Sequence, residues 1–174
     1  MVIECDDCNA LFEGIPKGCL PNVGGIKRFA ITERCNVSSL NLSSPGDEIT
    51  AINMVGSALF YEFYFDKNTS TWTEKWDPET DLHTQEPKLV LKRREKSKRD
   101  TLALIGMKKD LVALVWDGND EIWYLGETNG INMSVKDFDA GVAKKDINRY
   151  DISFMGEEPE AANKVTQAAY EAVI

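Results

Sequence analysis

Four cysteines are the residues of this chain best suited by type to do chemistry. The first two, within the stretch ECDDC, stand as Cys5-x-x-Cys8. That spacing is one half of a tetrahedral zinc site, in which two thiolates close on the metal from one tight turn. The other half would have to come from Cys19 and Cys35, which lie too far apart in the chain to form a second knuckle. A redox pair would precede a helix inside a strand–helix–strand unit, and no such pattern follows Cys8. The expectation is plain reduced thiols on an N-terminal arm over residues 1–24, with zinc on Cys5, Cys8, Cys19 and Cys35 as the alternative and no other cofactor.

Other chemistries find less to stand on. The chain has one histidine, His83, so any Ser-His-Asp or Cys-His arrangement would depend on that residue. The stretch NVGGI lacks the lysine and the following helix of a phosphate-binding loop. DGNDE and DPETD have the flavour of calcium loops but lack the central glycine and the distal glutamate. They read as surface turns. A non-enzymatic protein is expected.

Charge is the more telling signal. The 174 residues carry a net charge of -9, against the basic footprint of a nucleic-acid binder. Yet residues 88–99, KLVLKRREKSKR, set seven cations against Glu95 alone. A chain that meets copies of itself can place such a strip against an acidic face, and the complementary fields then steer association. Lys92, Arg93 and Arg94 are accordingly candidates for inter-subunit contact. No apolar run reaches the roughly 18–20 residues that span a bilayer. The N-terminus has no basic region followed by an apolar stretch, so assembly in a cytoplasm is expected and the sequons at Asn36, Asn41, Asn68 and Asn132 are chance matches.

The elements that would hold these residues are mostly strands. IKRFAITE, VSSLNL and the pair ITAINMV and ALFYEFYF, joined near Gly56-Ser57, combine β-branched and aromatic residues with turn signals between them. Residues 66–87 are polar and turn-rich and read as a long inter-strand loop, which is uncommon without a purpose. Trp72 and Trp76 within it are candidates for inter-subunit contact. KLVLK alternates as a strand. Residues 96–108 then shift to a helical period around Leu102, Leu104 and Ile105. LVALVWD is a continuous apolar run, expected to be buried on both faces, and Asp117-Gly118 turns it into the hairpin strand EIWYLGE. RYDISFMG alternates cleanly. The pattern predicts a mainly β domain over residues 25–158, an antiparallel sandwich or barrel with one flanking helix, followed by a tail or short helix over 159–174.

The order of signals in the C-terminal half resembles the tail tube (major tail) proteins of bacterial viruses. A long strand leads into a single helix, then a buried strand and a hairpin that ends in Trp123-Tyr124-Leu125-Gly126. Asp146-Ile147-Asn148 follows and leads into Tyr150-Asp151-Ile152-Ser153-Phe154, which closes in Gly156-Glu157-Glu158. The Cys-containing arm, Gly24-Gly25-Ile26 and the first strand are similar to versions in Bacteroidota phages. Arg149 departs from the family pattern, which often has glycine there, and the tail is longer. These departures leave open a related ring-forming tail hub or terminator.

The resemblance implies a homo-oligomeric, usually sixfold, ring that closes neighbouring sheets into an inner barrel. Viral DNA would pass through its lumen without specific binding, past an acidic lining, and other tail or portal-connector proteins would cap it. Its location would be the virion tail. The arm with Cys5 and Cys8 and the loop with Trp72 and Trp76 would reach adjacent subunits. A second expectation, from the residues alone, is a binding module that holds a ligand or partner with the aromatic loop.

Overall fold

The computed structural model describes residues 22–44, 48–143 and 145–174. In chain order the strands are β1 (Ile26–Glu33), β2 (Val37–Leu42), β3 (Glu48–Met54), β4 (Tyr61–Phe63), β5 (Thr71–Asp77) and β6 (Leu82–Lys92). Helix α1 (Lys96–Met107) separates these from β7 (Leu111–Asp117), β8 (Ile122–Leu125), β9 (Asn132–Asp139), β10 (Arg149–Glu158) and β11 (Asn163–Val165), and α2 (Gln167–Glu171) ends the chain. They form two sheets, ordered β2-β3-β11-β8-β7-β1-β4 and β5-β6-β10-β9. The expected sandwich with a flanking helix is therefore the fold, and no closed barrel forms among the described residues.

The larger sheet is the middle layer. On one face Phe29, Ile31, Leu111, Ala113, Val115 and Leu125 meet Leu89, Leu91, Tyr150, Ile152 and Phe154 of the smaller sheet. On the other face Ala30, Val112, Leu114 and Tyr124 pack under Tyr170 and Val173 at the C-terminus. Strand β7 is thus apolar at successive positions because both its faces are covered. The smaller sheet has one covered face, and alternates accordingly.

Three expectations change. ITAINMV and the aromatic stretch do not pair: β3 lies between β2 and β11, whereas β4 pairs with β1. Phe63 sits edge-on against Phe29, at 5.6 Å between centroids, and this contact draws the aromatic strand to the β1 edge. Residues 66–87 are not a long loop. Thr71–Asp77 pairs with β6 from Thr71↔Lys88 to Asp77↔Leu82. The Thr and Trp residues of TWTEKWD carry enough β preference to outweigh its charges once β6 offers an edge. Asp77 makes the turn by accepting from the Glu79 N–H and the Thr80 hydroxyl at 3.0 and 2.9 Å.

At the C-terminus the expected short helix is α2, and the change is the strand β11 that precedes it. Strand β11 fills the space between β3 and β8, and Tyr170 is fully buried, edge-on to Trp116 at 5.3 Å. Its hydroxyl donates to Glu62 at 2.8 Å, and Arg28 pairs with the same carboxylate at 2.6 Å. Burial pushes the phenols of Tyr124 and Tyr170 above their usual value; at Tyr170 the Glu62 bond adds to it. The folded chain keeps both protonated where the unfolded chain ionises. Stability is expected to be full below about pH 10 and to fall above it. Denaturant melts at neutral and strongly alkaline pH, alongside phenolate absorbance, measure this; equal melts would contradict it.

The two quoted stretches of the C-terminal half meet in space. Glu158, 2% exposed, accepts the N–H groups of Thr128, Asn129 and Gly130 at 2.8, 2.9 and 3.0 Å. Gly156 lies so close to that loop that an added Cβ would stand 2.5 Å from the Gly130 carbonyl oxygen. Only glycine fits there. Arg34 braces the same loop, donating to the Thr128 carbonyl at 2.7 Å while gripping Asp110 through two bonds of 2.7 and 3.0 Å. Gln85, 1% exposed, links the loop to β5: its Oε1 accepts from the Gly126 N–H and its Nε2 donates to Glu74.

Candidate functional site

The strand edges lead to the most distinctive surface. Among the described residues, strand β4 ends the larger sheet and pairs with β1 on one side only. Helix α1 lies beside it and leaves an apolar groove of about 540 Å³ between them. Ile31, Leu91, Leu102 and Leu111, all at most 5% exposed, form its floor. Its rim is apolar too: Tyr61 is 68% exposed, Tyr64 84% and Leu104 58%. Large apolar side chains clustered in the open around a concave surface mark an interaction site. Lys98 stands at one end and Lys108, 2.8 Å from Glu33, at the other.

The basic strip runs from β6 into the first turn of α1, and the structure places much of it in internal contacts. Lys92 pairs with Asp66, Lys88 with Glu86 at 3.1 Å and Lys96 with Asp100 at 2.7 Å. Arg94 stacks over Phe138, at 4.6 Å from the ring centroid. Arg93, in a left-handed backbone conformation with φ of 62°, has a side chain 82% exposed. The first turn of α1 contains Lys96, Lys98 and Arg99 and no acidic residue, against the preference of the helix dipole for negative charge there.

The two tryptophans separate. Trp72 turns inward and packs against the core, 6.0 Å from the Trp123 ring. Trp76 remains 57% exposed, with its indole N–H donating to Asp81 at 2.9 Å. Four residues apart on β5, they share one face of the strand; Trp72 reaches the core, whereas Trp76, one pair from the hairpin end at Asp77↔Leu82, lies beyond it. His83 lies on β6 opposite Trp76. Cys35 is exposed; Cys5, Cys8 and Cys19 lie outside the described residues. Among the described residues, no group of three or more His, Cys, Asp or Glu side chains is placed to hold a metal ion. None of the described helices is long and apolar enough to cross a membrane.

Sequence reasoning did not single out the groove residues Tyr61, Tyr64 and Leu104. A signal was present: ALFYEFYF is aromatic at successive positions, more than a short strand covered on one face can bury. Leu104 likewise falls off the buried stripe of α1 through Leu102. No family model, no curated protein and no solved structure matches this chain.

Proposed function

We propose that this chain is a non-enzymatic structural subunit that assembles with copies of itself into a ring. The ring belongs to the tail tube or tail hub of a bacterial virus, conducts DNA through its lumen, and is capped by other tail or portal-connector proteins. The observation that carries the reading is the smaller sheet. Its four strands end on β5 and β9, seven and eight residues long, which have no further strand beside them among the described residues. Open edges of that length invite pairing with another chain. Continuing β9 of one subunit into β5 of the next removes both, and a heterologous contact of this kind closes when its rotation closes.

The outer face of that sheet lines the lumen in this reading, because the larger sheet is covered on both sides. That face carries both signs of charge. Lys88, Lys92 and Arg149 each stand against a carboxylate, respectively Glu86, Asp66 and Asp151. Cations held in this way leave less free positive charge to trap a passing phosphate backbone. Support for the viral setting comes from the resemblance of the C-terminal half.

Negative-stain microscopy and light scattering of the purified protein over a range of concentrations test the reading. Rings are expected; a monomer at every concentration, with and without tail extracts, would count against it. Trp76→Ala adds a local test. Its exposed position on β5 predicts a stability change within about 0.5 kcal/mol but a clear loss of ring formation, read by sedimentation beside a thermal melt.

A further inference from the structure

We propose that the groove between α1 and β4 is the docking site of the chain's own N-terminal segment, with the apolar side chains Leu11, Phe12 and Ile15 seated on the groove floor. The proposal does not depend on the ring reading. It rests on the groove, on the length and composition of the chain before the described residues, and on where that chain ends.

The groove is built to receive an extended segment. One wall is the outer edge of β4, which has no strand beside it among the described residues, and the opposite wall is the apolar side of α1. A strand added to such an edge gains main-chain hydrogen bonds, and alternate side chains drop into the pocket beside it. The N-terminal segment has suitable side chains. Residues 1–21 read MVIECDDCNALFEGIPKGCLP and place Leu11, Phe12 and Ile15 between an acidic stretch and a tether punctuated by glycine and proline.

Where the described chain begins puts this segment within reach. The Asn22 side chain accepts from Asn119 at 3.0 Å, and the Val23 N–H donates to Asn119 at 2.7 Å, so the segment departs from the β7–β8 turn. From there β1 runs toward the far end of the groove, a path of roughly 25 Å for eight strand residues. The twelve residues from Pro21 back to Ala10 span up to about 40 Å when extended. The segment can therefore lie along β4 of its own subunit or cross to an adjacent one.

Charge agrees. The segment holds Glu4, Asp6, Asp7 and Glu13 against Lys17. At the groove's ends Lys98 lies in the first turn of α1, 3.8 Å from Glu95, and Lys108, paired with Glu33, is followed by Lys109, which adds a further cation. The two carboxylates that line the groove, Glu33 and Glu62, are already matched by Lys108 and Arg28.

Incorporation of the photo-crosslinking residue p-benzoylphenylalanine at Phe12 of the full-length protein tests the proposal, with crosslinked peptides mapped by mass spectrometry. Crosslinks to β4 or α1 are expected. Isotope mixing of two protein pools tells contacts within a chain from contacts between chains, and either supports the assignment. Leu104→Glu, and separately Tyr64→Glu, are expected to abolish those crosslinks without moving the melting temperature, since both residues are on the exposed rim. Crosslinks mapping to the β5–β6 hairpin or elsewhere, no crosslinks at all, or crosslinks unaffected by both rim variants would overturn it. The mapping can be done on whichever species the protein forms, so a failure to form rings leaves it readable.

Discussion

Glu158→Ala is expected to destabilise the protein by roughly 3–5 kcal/mol, since hydrogen bonds to a charged group contribute about 1.5–3 kcal/mol each and orphaned buried donors add desolvation cost. The carboxylate is almost wholly buried and is the acceptor for three successive N–H groups in the loop between β8 and β9. Alanine leaves all three without that partner. The loop also carries the Arg34 contact and sits against Gly156, so its loss loosens the join between the two sheets. Glu158→Gln keeps the shape but points an amide donor at backbone donors, and should fall between the two. Urea unfolding would show the midpoint drop with the slope unchanged. A change under about 1 kcal/mol, the range of an ordinary surface substitution, would show that the loop does not depend on this carboxylate.

Deletion of residues 160–174 is expected to abolish cooperative folding altogether. Strand β11 contributes only three residues, but it is the piece that pairs with β3 on one side and β8 on the other. Without it the larger sheet divides into β2-β3 and β8-β7-β1-β4. The face that Tyr170 and Val173 cover, including Val112, Leu114 and Tyr124, is then open to water. A net stability of about 5–15 kcal/mol does not survive both losses. Tyr170→Ala isolates one part of the effect and should cost roughly 3–5 kcal/mol for an emptied aromatic site. Tyr170→Phe removes only the bond to the Glu62 carboxylate and should cost about 1.5–3 kcal/mol. Circular dichroism with near-ultraviolet signals, followed through thermal melts, separates these outcomes. A truncated chain that melts cooperatively near the full-length temperature would refute the claim.

These two effects show how unevenly the fold could be read beforehand. Strands with one covered face announce themselves by alternation, and Tyr150, Ile152 and Phe154 on β10 are buried as their spacing requires. The run LVALVWD announced a central strand for the opposite reason, covered on both faces. The hairpin β5–β6 was missed because five of the seven residues of TWTEKWD are polar or charged. An edge strand with one face in water can afford that composition, and only its partner reveals it. The tryptophans, four residues apart, share one face of β5, and what covers that face decides that Trp72 packs against the core while Trp76, beside the hairpin turn, stays exposed.

The amino-acid sequence by itself determined the class: a mainly β chain with one flanking helix, a buried central strand and a concentrated basic strip. These properties depend on local period and local charge, which neighbouring residues carry. Tertiary structure decided which edge each strand meets, that the C-terminus completes a sheet, that Glu158 holds the loop after β8, and that α1 and β4 leave an apolar groove. Each of these joins residues far apart in the chain. A contact of that kind is selected by the shape and burial of the whole sandwich, and no local pattern encodes it.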